Sequence, residues 1–130
     1  MKTIRVKTSK RFECIDITEE IQEFVSEQSK DNGAVLVYVP HASAAVIINE
    51  NADPDIQTDF LEALEKNFPS GIWRHDKLDG NAAAHIKSSI LGPSELIPFE
   101  NKKLLLGTWQ ACMLVELDGP RERKVLLSVV

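Results

Sequence analysis

Thr3-Ile4-Arg5-Val6-Lys7-Thr8 places an apolar side chain at every second position, which is the period of a half-exposed strand. Arg11-Phe12-Glu13-Cys14-Ile15 reads as its hairpin partner across Ser9-Lys10. The period then changes. Ile17, Ile21, Phe24 and Val25 recur at helical spacing, behind a cap at Asp16 or Thr18 and ahead of a stop at Asp31-Asn32-Gly33. Glu19 and Glu20 occupy the first turn, where the helix dipole favours acids. Ala34 to Val39 and Ala44 to Asn49 are continuous apolar runs, as expected of strands buried on both faces. Asp53-Pro54 opens a second helix, with Asp as cap and Pro at the first helical position; Ile56, Phe60 and Leu64 mark its buried face to about Phe68. Pro69 to Gly80 has no period and predicts an ordered loop, and Asn81 to Leu91 predicts a short helix closed by Gly92-Pro93. The rest reads as strand: Glu95 to Phe99, a turn at Glu100-Asn101-Lys102, Leu104 to Leu106, a long strand from Thr108 to Leu117, a turn at Asp118-Gly119-Pro120-Arg121, and Lys124 to Val129. Strands without regular βα alternation predict the α+β class, here a compact, mostly antiparallel β-sandwich with two to three helices packed on it. The whole chain, residues 1–130, reads as one domain.

Composition narrows the partners. The 130 residues are 43% hydrophobic and 27% charged, which describes a globular domain rather than a disordered one. No apolar run approaches the roughly 20 residues of a membrane span, and the first residues lack the pattern of a secretory signal. With 15 Lys and Arg against 20 Asp and Glu, the net charge is −5, and there is no basic stripe. Nucleic acid is therefore not an expected partner, and neither is a membrane. Cys14 and Cys112 stand far apart with no second pair, so they read as reduced thiols and point to a cytoplasmic protein. The apolar end, Val125 to Val130, is expected to form an exposed edge strand that a neighbouring subunit would cover.

The informative positions are polar residues set among apolar ones. His41 follows Pro40 at the end of the most apolar run, while Glu50, Asn51 and Asp53 sit where the next run turns into a helix. His75 and Asp76 lie in the loop. His85 shares a helix face with Asn81, Ser88 and Ser89. In the long strand a period of two puts Gln110, Cys112, Leu114, Glu116 and Asp118 on one side and Trp109, Ala111, Met113, Val115 and Leu117 on the other. Each has a plain reading: a strand-end histidine held by a structural hydrogen bond, Asp53 as a helix cap, Glu116 pointing into water, Cys112 as an inert core residue. No pair of histidines has a zinc-motif spacing, and no glycine-rich phosphate loop is present.

Three longer strings change the weight of these residues. Pro40-His41-Ala42-Ser43-Ala44-Ala45-Val46-Ile47-Ile48-Asn49-Glu50-Asn51-Ala52-Asp53-Pro54-Asp55 resembles the first signature of the YjbQ family. Asn81-Ala82-Ala83-Ala84-His85-Ile86-Lys87-Ser88-Ser89-Ile90-Leu91-Gly92-Pro93-Ser94 resembles its second. Leu105-Leu106-Gly107-Thr108-Trp109-Gln110, followed by Glu116-Leu117-Asp118-Gly119-Pro120-Arg121, resembles its third. One departure is visible, Ala42 where members usually carry Thr.

The resemblance implies a compact α+β sandwich that assembles as a homotrimer, and an activity labelled secondary thiamine-phosphate synthase. All three histidines fall in or beside the signatures, so His41, His75 and His85 become the expected ligands of one divalent metal, zinc by ligand type. His41, His85, Asn51, Asp53 and Glu116 are the candidate catalytic or ligand-orienting residues. Lys87, Ser88, Arg121, Asn81 and Gln110 are the candidate contacts for a small phosphorylated metabolite, with the N-terminus of the Asn81 helix at the same end. The alternative from another class is a non-enzymatic metal- or metabolite-binding protein.

Overall fold

The computed structural model describes all residues, Met1–Val130. Eight strands and three helices follow in the order β1 (Lys2–Lys7), β2 (Glu13–Asp16), α1 (Thr18–Ser26), β3 (Gly33–Tyr38), β4 (Ala44–Glu50), α2 (Pro54–Asn67), α3 (Ala82–Leu91), β5 (Ser94–Glu100), β6 (Lys103–Leu104), β7 (Gln110–Glu116) and β8 (Glu122–Val129), with one 3-10 turn at Arg74–Lys77. The strands form two antiparallel sheets, β1-β8-β3-β5-β6 and β2-β7-β4. The α+β sandwich is thus the observed class.

Alternation decides which side chains meet. Val35 and Val37 of β3 and Val39 just after it face inward, joined by Ile97 and Phe99 of β5 and Val125 and Leu127 of β8. The smaller sheet contributes Ala44, Val46, Cys112 and Leu114, and α1 contributes Ile21, Phe24 and Val25. The other face of the smaller sheet is also buried. There Ala45, Val115 and Leu117 pack against Leu64 of α2 and Ala84 of α3. Both faces of β7 are therefore apolar, and Cys112 is a core residue whose thiol burial pushes to about 12.

Several expectations change at this level. β1 and β2 are not a hairpin: β1 pairs with β8, while β2 pairs with β7 in the other sheet. The five residues Thr8 to Phe12 join two alternating segments that look like a hairpin in sequence, but here they carry the chain from one layer to the other. The last strand is not an edge either. β8 lies between β1 and β3, so its apolar residues are covered within the chain. The long strand begins at Gln110, leaving Thr108 and Trp109 outside it, and Trp109 is 67% exposed. Helix α1 is capped at Ile17 without a side-chain bond, and Asp16 accepts from the Thr18 N–H at 2.9 Å. Asp53 does cap α2, accepting from the Asp55 N–H at 2.9 Å behind Pro54. Gly92 ends α3 with φ of 95°, a conformation that glycine adopts without steric cost.

Candidate functional site

His41 leaves the end of β3 just after Pro40, and His85 faces it from the second turn of α3. Together with Ala42, Ala44, Ser88, Ser89 and Pro93 they line an open cleft of ≈ 590 Å³ at one end of the sandwich. The backbone fixes both rings. Nε2 of His41 accepts from the Lys124 N–H at 2.9 Å, which leaves Nδ1 of the neutral ring as a donor. Nδ1 of His85 lies 2.9 Å from the Ala42 carbonyl oxygen and donates to it, so Nε2 keeps its lone pair. Ser88 donates to the same carbonyl, and Ser89 donates to the His85 carbonyl at 2.8 Å. One imidazole is thereby left with a donor and the other with an acceptor.

Behind His41 lies the most costly polar cluster in the molecule. Glu116 and Arg123 are 0% and 2% exposed, on β7 and β8, and they join the two sheets. Arg123 donates through Nε to both Glu116 oxygens at 2.9 and 3.1 Å, and through Nη2 to Glu116, to the Ser43 carbonyl at 3.0 Å and to the Ser43 hydroxyl at 2.9 Å. Thr8 donates to Glu116 at 2.7 Å, and the Asp118 N–H donates at 3.1 Å. Burial alone would raise the Glu116 pKa; the hydrogen bonds from Arg123, Thr8 and the Asp118 N–H outweigh it and hold the carboxyl below its usual value. His41 is lowered, first by burial and then by the charge of Arg123, with Glu116 opposing and Lys124 and Arg121 adding to the effect. Gly119 is required beside this cluster, because a Cβ there would lie 2.3 Å from the Lys10 carbonyl oxygen and 2.7 Å from Glu116 Cγ.

The expected site residues divide. His41, His85 and Ser88 meet in the cleft. His75 is a neighbour of His85, its ring centroid 5.2 Å away and edge-on, but it does not line the cleft and sits 3.7 Å from Asp79. No group of three His, Cys, Asp or Glu side chains that could hold a metal is assembled within the chain. The expected three-histidine ligand set is therefore not formed by one chain, and the Nε2 lone pair of His41 is already taken. Asn81 binds Asp118 at 3.3 Å instead of facing the cleft, and Arg121 pairs with Asp118 at 3.1 Å. Lys87 points away, 1% exposed, bound to Glu65 at 2.8 Å and 4.4 Å above the Phe12 ring; it ties α3 to α2. Asn51, Asp53 and Gln110 lie at the opposite end of β4 and β7, where Gln110 pairs with Glu50. Six residues of strand separate the two ends, about 20 Å. There Asn51 donates to Asp16 at 2.7 Å and accepts from Gln57, Asp53 caps α2, and Gln110 accepts from the Gly107 N–H at 2.8 Å.

Arg123 and Thr8 carry the cluster yet lie in none of the three signatures, and Ser43 lies in the first without standing out there. The signal was present in the alternation of the last strand, which places Arg123 on the same side as Val125 and Leu127 and hence inside.

Residues 2–130 match the family model described as UPF0047 protein YjbQ-like. The chain belongs to the YjbQ/UPF0047 family. It is 44% identical over 133 residues to UPF0047 protein YugU of Bacillus subtilis, covering 100% of this chain and 98% of that protein. A UPF0047 protein of Archaeoglobus fulgidus is 45% identical over 128 residues, covering 98% of each. The crystal structure of a YjbQ/UPF0047 protein from Clostridium acetobutylicum superposes with a TM-score of 0.95 at 44% identity, covering 100% of both chains. A YbjQ-like protein of Sulfolobus solfataricus gives 0.94 at 37% identity, covering 98% of this chain and 94% of that one. In this YjbQ-like chain Ala42 falls on the cleft itself: it lines the cleft, and its carbonyl holds both His85 and Ser88.

Proposed function

We propose that this YjbQ-like protein acts on a small phosphorylated metabolite in the His41–His85 cleft, joining a pyrimidinylmethyl diphosphate to a thiazole phosphate with release of pyrophosphate. The observation that carries the reading is the pairing of two imidazoles in one cleft, one held by the backbone as a donor and the other as an acceptor. In this reaction the thiazole nitrogen supplies the electron pair of the new C–N bond, while the C–O bond to the diphosphate breaks and its electrons leave with pyrophosphate. The protein's task is to stabilise the departing oxygens. The Nδ1–H of His41 is a donor for them, and the exposed Lys124 beside it adds positive charge, while Arg121 and Arg123 are paired with Asp118 and Glu116. Nε2 of His85 accepts from a substrate N–H or O–H and sets its orientation. One chain alone does not group three ligands for a divalent metal.

The open face of the five-stranded sheet supports assembly into a trimer. Leu36, Leu96 and Leu126 alternate with core-facing residues and so point outward beside Tyr38, with Leu96 57% and Tyr38 40% exposed. A contiguous apolar surface of this kind is ordinarily covered by another chain. A second reading is metabolite binding without turnover, since Ala42 lines the cleft without offering a side-chain hydroxyl.

The two precursors incubated with purified protein test the reaction. Thiamine phosphate is expected to form, and His85→Ala is expected to reduce turnover about 100-fold or more with the circular dichroism spectrum unchanged. No product at any zinc or magnesium loading contradicts the synthase reading.

A further inference from the structure

A second concavity lies at the other end of β4, between α2 and the smaller sheet, and the proposed reaction does not use it. Its volume is ≈ 270 Å³. Ile47 and Met113 form the floor, and Ile56 and Phe60 of α2 form the wall. Of α2's fourteen residues only Leu64 is fully buried, with Phe60 and Leu61 partly buried against the same cluster, and the exposed Ile56 stands over the groove beside Phe60. The Asn51–Gln57 hydrogen bond and the Gln57 contact to the Met113 sulfur at 3.8 Å tie the start of the helix to the sheet. Among the groove's lining residues are two carboxylates, Glu50 and Asp59, and neither enters any of the chain's ion pairs. An apolar hollow with unpaired negative charge beside it has a definite chemical complement.

We propose that this groove is a ligand site distinct from the histidine cleft, and that it takes a single aromatic ring carrying a short cationic amine. An apolar cavity of about 150 Å³ accommodates benzene, so this volume holds one ring with a short chain. The ring packs between Phe60 and Met113, and the ammonium meets Glu50 and Asp59 at the groove's polar side. This gives a purpose to Glu50, a polar residue at the end of an apolar strand that the histidine cleft leaves unexplained.

The chain has two methionines, Met1 and Met113, so the 13C-labelled Met113 methyl is a resolved reporter inside the groove and Met1 an internal control. Phenethylamine titrated into the full-length protein is expected to shift the Met113 methyl saturably and leave Met1 unmoved. Phenylacetate, of similar shape and opposite charge, is expected to bind at least about tenfold more weakly. Glu50→Gln with Asp59→Asn, both surface changes compatible with folding, is expected to bring the two affinities together. Ala63→Trp, which fills the groove, is expected to remove the shift. No saturable shift with the amine, or equal affinity for amine and carboxylate in the wild-type chain, would overturn the proposal.

Discussion

At the scale of single residues, the cleft depends on groups that never touch it. Arg123 holds Glu116 and Ser43 in place, and the next residue, Lys124, gives its N–H to His41. Removing the guanidinium would leave a carboxylate that is 0% exposed with only Thr8 and a backbone N–H as partners. Arg123→Met is therefore expected to cost about 3–5 kcal/mol in a denaturant titration, the range for breaking one half of a buried pair. Replacing Glu116 with Leu in the same chain is expected to restore most of it, because the uncompensated charge goes with it. A loss below about 1 kcal/mol for the single variant would show that the pair contributes no more than a surface one. The same scale explains Asp53 and Lys87. Both looked like chemistry in sequence, and both are tied up in structure, one as a helix cap and the other as a cation sandwiched between Glu65 and Phe12.

At the scale of elements, the readable features were those set by local rules. The capped start of α2 at Asp53-Pro54, the stop of α3 at Gly92 and the alternation of β7 all follow from side-chain and backbone preferences within a few residues. The pairing of β1 was not readable, because a strand's partner is chosen by the whole sheet: β1 passes over Ser9-Lys10 and joins β8, more than a hundred residues later. The apolar C-terminal strand misled for a related reason, since an apolar run looks the same whether it is an exposed edge or the inside of a sheet. The site was half legible. The first two signatures bring His41 and His85 together, but the Asn51, Asp53 and Gln110 parts of the signatures sit at the far end of β4 and β7. Only the register of two antiparallel strands reveals that separation.

At the scale of the molecule, the sandwich has one well-covered interior and one open face. The outer side of the smaller sheet is covered by α2 and α3, whereas Tyr38 and Leu96 on the larger sheet have no helix over them. Tyr38 lies on β3 just before Pro40-His41, so a second copy seated on that face would stand beside the cleft. A closed ring of three is one way to bury the face on every copy. Light scattering is expected to give about three times the 14.5 kDa chain mass, with Leu96→Lys lowering it. A monomer mass for the unaltered chain would rule the assembly out. No helix is long and apolar enough to cross a membrane.

The His41–His85 cleft, as proposed, binds the diphosphate of its ligand through the Nδ1–H of His41 and orients the rest of the ligand through Nε2 of His85. Calorimetric titration of inorganic pyrophosphate into the wild-type chain and into His41→Ala and His85→Ala tests it most directly. Saturable binding by the wild type, weakened about tenfold or more in His41→Ala and much less in His85→Ala, whose ring offers an anion only a lone pair, is the predicted result. A His41→Ala chain that binds pyrophosphate as tightly as the wild type, or a wild type that does not bind it at all, would contradict it.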